Sequence, residues 1–204
     1  MSSRPLFRAA PPSTPARCWR RYAWCCAALL LCLPALGAAE DPMKANTPEI
    51  EAAYLRNFAR YIVWPGSAFH DADAPWRVCV LGRDPFGAAL PATLEGRTEQ
   101  GRAFEVVQVA DAAASKHCHI VYLAEPERAA RRAALAALDG RPVLTVSDAP
   151  GFLADGGMIR FRVGDHVEFD VDLDRTRAAS LTIRTKMLEV AAEVLENGVV
   201  RKRR

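Results

Sequence analysis

Residues 119–148 read HIVYLAEPERAARRAALAALDGRPVLTVSD. Two apolar runs of strand length, HIVYLA (119–124) and PVLTVSD (142–148), flank a segment with helical composition, EPERAARRAALAAL (125–138). Pro126 suits the first turn of that helix because its missing N–H would have no partner there. This strand–helix–strand unit predicts two parallel strands joined by a crossover helix.

The same alternation extends toward the N-terminus. PEIEAAYLRNFARYIV (48–63) repeats apolar residues at helical spacing, and Pro65-Gly66 ends the helix. WRVCVLG (76–82) and AFEVVQV (103–109) are strand-like, with a short helix expected from Asp84 to about Leu94. We therefore predict a single α/β domain with a mostly parallel central sheet flanked by helices.

The pattern changes at MIRFRVGDHVEFDVDLD (158–174), where apolar and charged residues alternate in two runs. A three-residue loop, Gly164–His166, gives an antiparallel hairpin in which both faces are matched. The predicted pairs are Ile159 with Val171, Arg160 with Asp170, Phe161 with Phe169, Arg162 with Glu168, and Val163 with Val167. Beyond it, a broad apolar arc predicts a long final helix from Asp174 to Asn197-Gly198, followed by a basic tail at 199–204.

The first 39 residues differ in charge from the rest of the chain. They contain five arginines and no acidic residue, whereas residues 40–204 contain 22 basic and 24 acidic side chains. Arginines, an apolar run at 22–36 and the small residues Gly37–Ala39 form the pattern of a cleaved secretory signal, with an uncleaved anchor as the alternative. We expect a signal peptide at 1–39, a flexible leader at 40–47, an exported domain at 48–198, and no membrane span after cleavage.

After cleavage only Cys79 and Cys118 remain. Two cysteines in an oxidising compartment usually pair, so we predict a Cys79–Cys118 disulfide. The alternative is metal binding, because His117 and His119 flank Cys118. Alternate residues of a strand point to opposite faces, which turns both imidazoles away from Cys118 and favours the disulfide.

Several function classes lack support in the sequence. LGRDPFG (81–87) is neither a dinucleotide fingerprint nor a phosphate loop, and we predict no cofactor. The sequence shows no cluster of a nucleophile, a base and an oxyanion donor, and its histidines lack the spacing of metal ligands. We therefore predict no catalytic residues, no metal site and no enzyme. The slightly acidic body of residues 40–204 also lacks the basic surface that a nucleic-acid partner requires.

Two aspartates follow predicted parallel strands, Asp84 after residues 76–82 and Asp148 after residues 142–148. Open α/β sheets bind ligands at the carboxyl ends of their strands, so a small-molecule pocket near these two residues would favour a sensor as the alternative function. The alternative for a lone aspartate in this position is a helix cap.

Five segments resemble one family of periplasmic regulators, the YfiR-like family. They are AAYLRNFARYIVWP (52–65), CVLGRDPFG (79–87), CHIVYL (118–123), LTVSDAPGFLADGGMIRF (144–161) and VEFDVDLDRTRAASLTIRTKMLEVA (167–191). The resemblance runs in order over nearly the whole mature chain. Cys79 and Cys118 match family cysteines, whereas a second disulfide found in some members has no counterpart here.

The resemblance implies a periplasmic, dimeric protein that binds the extracytoplasmic sensor domain of an inner-membrane diguanylate cyclase and keeps that enzyme inactive. Such repression lowers cyclic di-GMP and biofilm formation. The alternative is a small-molecule sensor that signals to another membrane protein, such as a histidine kinase. Arg184 and Thr185 replace small hydroxyl residues of the family pattern, so partner choice is expected to differ if this segment docks.

The candidate partner-binding residues lie on the predicted final helix and its approach. They are Arg177, Arg184, Met187 and Leu188. Each also has a structural interpretation, in which the arginines are solvated and the two apolar side chains belong to the core.

Overall fold

The computed structural model describes residues 47–203. The predicted signal peptide, at 1–39, and the predicted leader up to residue 46 lie outside the described residues. The described chain contains six α-helices and eleven strands. In order they are α1 (Thr47–Tyr61), β1 (Ile62–Val63), β2 (Trp76–Gly82), α2 (Ala89–Leu94), β3 (Thr98–Glu99), β4 (Arg102–Val109), β5 (Ile120–Ala124), α3 (Arg128–Leu138), β6 (Leu144–Ser147), α4 (Phe152–Asp155), β7 (Ile159–Val163), β8 (Val167–Asp172), α5 (Leu173–Ala178), β9 (Thr182–Ile183), α6 (Thr185–Leu188), β10 (Glu193–Glu196) and β11 (Val199–Lys202).

Nine of these strands form one mixed sheet in the order β11-β10-β8-β7-β6-β5-β2-β4-β3. The centre is parallel, from β4 through β2, β5 and β6 to β7. β7 pairs with β8, and β10 with β11, in antiparallel fashion. The predicted α/β domain with a mostly parallel sheet is therefore confirmed.

The β7–β8 hairpin has the predicted register at all five pairs. Its polar side carries two cross-strand ion pairs, Arg160 Nη2 to Asp170 Oδ2 at 2.8 Å and Arg162 Nη2 to Glu168 Oε2 at 3.0 Å. Its other side buries Phe161 and Phe169. Because a slip of one residue would exchange these two sides, the alternation alone specified the register.

The prediction of a long final helix is wrong. The segment 174–197 instead forms α5, β9, α6 and β10, with a left-handed residue at Ser180 (φ 59°) just after α5. β9 pairs with β1, and β10 adds to the sheet beside β8. In this arrangement Leu181, Ile183, Met187, Ala191 and Val194 of the expected apolar arc are buried, whereas Val190 is exposed. The local pattern does not reveal these non-local pairings.

The prediction that Asn197-Gly198 ends a helix is also wrong. These two residues have φ values of 52° and 71° and form the two-residue turn between β10 and β11. Asn-Gly is the preferred pair for such a hairpin because both central positions require positive φ. Residues 199–202 of the predicted basic tail therefore form the edge strand β11.

Two apolar layers cover the sheet. On one side α1 packs Leu55 and Phe58 onto the sheet, together with the buried aromatic residues of β7 and β8. On the other side α3 packs Leu135 and Leu138 against the layer that contains Cys79 and Cys118. The sheet thus has an α1 side and an α3 side.

The predicted disulfide is confirmed on the α3 side, where the Cα atoms of Cys79 and Cys118 are 5.9 Å apart. His119 is buried on the other side of its strand, where its Nδ1 accepts a hydrogen bond from the Arg77 N–H at 3.0 Å and its ring stacks on Phe69. Burial lowers the pKa of His119 to about 4. Within residues 47–203, no group of three or more side chains has an arrangement suited to a metal ion.

Replacing both cysteines by alanine should lower the free energy of unfolding by about 4 kcal/mol, because the disulfide closes a loop with a sequence separation of 39. Urea unfolding of the oxidised wild type and the Cys79→Ala/Cys118→Ala variant measures this difference. Wild type unfolded in the presence of a reductant should match the variant. A loss below about 1 kcal/mol would contradict the predicted contribution of the cross-link.

Candidate functional site

The first candidate site is a groove beside α6 on the α1 side of the sheet, called here the α6 groove. Its volume is about 120 Å³, and it is lined by Tyr54, Asn57, Phe58, Tyr61, Phe169, Lys186, Met187 and Val190. α1 supplies half of these residues because its aromatic stripe extends beyond the edge of the buried core. Val190, just after α6, is 53% exposed although it is apolar.

The four predicted docking residues occupy different environments. Arg184 is the exposed residue before α6, where its N–H donates to the Tyr61 carbonyl at 2.9 Å. Met187 is only 3% exposed and forms part of the groove floor, and Leu188 is half-buried. Arg177 lies on α5 and pairs with Glu196 at 2.8 Å. Three of the four residues are therefore brought together at α6.

The rim of the α6 groove carries one cation, Lys186, and a second exposed cation, Arg184, directly precedes α6. The exposed side chains of Arg184 and Lys186 make no ion pair with any residue between 47 and 203, whereas Arg201, Lys202 and Arg203 are all paired with glutamates. Sequence reasoning missed the α1 contribution from Tyr54, Asn57 and Tyr61, because the helical pattern indicated only that this face was apolar. An apolar floor with a cationic rim suits a protein ligand that has an apolar anchor and acidic neighbours.

The second candidate site lies at the carboxyl ends of the parallel strands β2, β5 and β6, and is called here the strand-end pocket. Gly82 ends β2 with a φ of 94°, and a Cβ atom there would lie only 2.8 Å from the Ala124 carbonyl oxygen. Close approach of these two strand ends therefore requires glycine. The pocket has a volume of about 560 Å³ and is lined by Arg83, Pro85, Tyr122, Leu123, Ala124, Glu125, Pro126, Arg131, Ser147, Asp148, Ala149 and Pro150.

Of the two predicted pocket residues, Asp148 is exposed and lines this pocket. Asp84 is not among the lining residues, and its Oδ1 accepts the Phe86 N–H at 2.8 Å to cap the turn after β2. Two other polar side chains of the pocket lining already have hydrogen-bond or ion-pair partners within the protein. Ser147 Oγ donates to the Leu123 carbonyl at 2.6 Å, and the Arg131 Nη2 group pairs with Asp155 at 2.6 Å.

Behind Tyr122 lies a buried carboxyl group that sequence reasoning missed. Glu51 of α1 is 3% exposed, and its Oε2 accepts a hydrogen bond from the Tyr122 hydroxyl at 3.2 Å. Burial, helped by the nearby charge of Asp148, raises the pKa of Glu51 to about 7. Burial, together with the charges of Glu51 and Asp148, raises the pKa of Tyr122. The sequence signal for this buried group is the position of the charged residue Glu51 on the apolar side of α1.

The α/β domain thus has two candidate binding sites, a groove on the α1 side and a pocket at the strand ends. The profile of the YfiR/HmsC-like family matches residues 48–192, and the chain belongs to that family. Membership confirms the resemblance and implies a periplasmic regulator of diguanylate cyclase signalling; proteins of this family are regulators and are not known enzymes. No curated protein matches the sequence significantly. Between residues 47 and 203, no helix has both the length and the apolarity to cross a bilayer.

The Glu51→Gln variant should be more stable than wild type above pH 7. Because the folded-state pKa of Glu51 is about 7 and its ordinary value is 4.5, the folded chain retains a proton that the unfolded chain releases between these values. The contribution of protonated Glu51 to stability is present below pH 4.5 and is lost as the pH rises through 7. We expect equal stability near about pH 4.5 and an advantage of up to about 3 kcal/mol for the variant near about pH 8.

Urea unfolding at the two pH values measures this difference, with Glu95→Gln as the control because Glu95 is exposed. The free energy of unfolding of this control should equal that of wild type at both pH values. A Glu51→Gln variant that is less stable than wild type at the higher pH would show that the ionised carboxylate is satisfied in the folded chain.

Proposed function

We propose that this chain binds the extracytoplasmic sensor domain of an inner-membrane diguanylate cyclase through the α6 groove and holds the cyclase inactive. Repression in this form lowers cyclic di-GMP and biofilm formation. Family membership supports the class of target. The observation that carries the choice of surface is an aromatic groove lined by the exposed Val190 and the unpaired cation Lys186, with the second unpaired cation, Arg184, just before α6.

The chemistry of the α6 groove defines what the partner must present. An apolar side chain of the sensor domain would fill the groove between Tyr54 and Met187, where aromatic and sulfur groups offer dense packing. Acidic residues of the sensor domain beside that anchor would pair with Arg184 and Lys186. Neither cation gives up an existing ion pair on binding. No broken contact therefore offsets what Arg184 and Lys186 contribute to the binding free energy.

Repression requires binding energy but no bond chemistry. A protein that binds the inactive state of the cyclase more tightly than the active state shifts the population toward the inactive one. Moving that equilibrium from 1% to 99% inactive requires about 10⁴-fold tighter binding to the inactive state, or about 5.5 kcal/mol. The proposal includes export through cleavage after residue 39 and a homodimer, as the family resemblance implies.

The strand-end pocket supports a second candidate function. A cavity of about 560 Å³ at the carboxyl ends of parallel strands suits a small molecule, which favours a sensor that signals to another membrane protein such as a histidine kinase.

Calorimetric titration of the oxidised mature chain, residues 40–204, with the periplasmic domain of the diguanylate cyclase encoded nearest to it should give saturable binding. Lys186→Glu and Val190→Asp should each weaken it about tenfold or more, because one reverses the rim charge and the other places a charge beside the groove. Both side chains are exposed, so the variants should fold as wild type does.

Lys116→Glu is the matched control, since it makes the same charge change at an exposed position beside the disulfide on the α3 side. It should leave the affinity unchanged. If Lys186→Glu and Val190→Asp both leave the affinity unchanged, the α6 groove is rejected as the interface. No binding by the folded, disulfide-bonded chain would reject this cyclase as the target and favour the sensor function.

A further inference from the structure

The docking element α6 is too short to fix its own position. It spans only Thr185–Leu188, and a helix of one turn gains little stability from its own hydrogen bonds. Its placement therefore depends on contacts at its two ends. At the start, the N–H of Arg184 donates to the carbonyl of Tyr61 at 2.9 Å, which attaches α6 to the last residue of α1.

The segment after α6 is held by Arg203, the residue that follows β11. The Nη1 group of Arg203 donates to the Val190 carbonyl at 3.0 Å, and its backbone N–H donates to the Ala192 carbonyl at 2.9 Å. The Nη2 group donates to Oε1 of Glu168 on β8 at 3.2 Å. One guanidinium group thus joins the Val190 carbonyl to the central sheet, and an arginine is well suited to satisfy a carbonyl at the end of a helix.

Val190 depends on this contact more than its neighbours do. Its own N–H donates to the Met187 carbonyl at 3.3 Å, which is long for a hydrogen bond. The next attachment to the sheet is the N–H of Ala192, which donates to the Phe169 carbonyl at 2.8 Å. Val190 is also the exposed apolar residue that lines the α6 groove.

We propose that Arg203 is a positioning residue for docking, which holds the Val190 carbonyl and so keeps the Val190 side chain at the groove where the apolar anchor of the partner binds. The inference rests on the proposed function, because the partner is the sensor domain of the cyclase. The two preceding cations of β11 have other contacts: Arg201 pairs with Glu196, and Lys202 pairs with Glu193.

Positioning raises affinity through preorganisation. A docking segment that is loose in the free protein must be ordered on binding, and that ordering reduces the affinity. Arg203→Ala removes the side-chain bonds to Val190 and Glu168 and retains the main-chain bond to Ala192. The variant should therefore fold as wild type does and bind the sensor domain about fivefold more weakly.

Calorimetric titration of the oxidised mature chain, residues 40–204, with the periplasmic domain of the diguanylate cyclase encoded nearest to it measures this effect. Lys202→Ala is the matched control, because it removes the same charge from the neighbouring residue, whose partner is Glu193. An exposed ion pair contributes little, so this control should change the affinity by less than about twofold.

A double-mutant cycle with Val190→Ala tests whether Arg203 acts through Val190. In the wild-type background Val190→Ala should weaken binding about fivefold. In the Arg203→Ala background the same change should cost less than about twofold, because a misplaced Val190 no longer contributes its full contact.

Amide hydrogen exchange gives a readout that does not involve the cyclase. In the free Arg203→Ala chain, exchange at Val190 and Ala192 should be about tenfold faster than in wild type, because this segment opens more often. Exchange in the central strands β2 and β5 should be unchanged.

The outcomes separate this inference from the proposed function. If wild type binds and Arg203→Ala binds equally well, if Lys202→Ala weakens binding as much, or if the two effects in the cycle are independent, the inference alone is overturned. Unchanged exchange at Val190 in Arg203→Ala would also overturn it. No binding by the wild-type chain would overturn the proposed function and this inference together.

Discussion

The packing of α1 against the β7–β8 hairpin is the interaction on which both binding sites depend. Tyr54 and Phe58 of α1 meet Phe161 and Phe169 of the hairpin, with ring centroids 5.3–5.9 Å apart. Edge-on and offset rings at these distances attract beyond the area they bury. This cluster fixes the position of α1, and α1 in turn places Glu51 against Tyr122, which lines the strand-end pocket, and brings Tyr54 to the α6 groove. Loosening it would therefore disturb both sites together.

The two sides of the sheet differ in the features that they carry. The α3 side contains the disulfide, and Arg131 and Arg128 hold Asp155 there with its pKa below the usual range. The α1 side carries the exposed apolar residue Val190 and the unpaired cations. An exported domain of this size gains rigidity from a cross-link in one layer, which leaves the other layer free to present a binding surface.

Sequence predicted those parts of the fold that local pattern or a general topological rule determines. The β7–β8 register followed from alternation, and Asp148 followed from the strand-end rule. The final helix failed because Val194 reaches the core by pairing β10 with β8, a contact distant along the chain, and because Asn197-Gly198 suits a hairpin turn as well as a helix end. The position of Glu51 on the apolar side of α1 was the one local signal for its burial, but no local feature indicates that it faces a buried tyrosine.

The central claim is that this member of the YfiR/HmsC-like family represses a diguanylate cyclase by binding, with α6 as the docking element. Cellular cyclic di-GMP, measured in a strain that carries the neighbouring cyclase with and without this chain, tests it most directly. If the chain represses the cyclase through α6, cyclic di-GMP rises when the chain is deleted and returns to its original level with the wild-type chain but not with Lys186→Glu. An unchanged level after deletion, while the cyclase is present and active, would contradict repression.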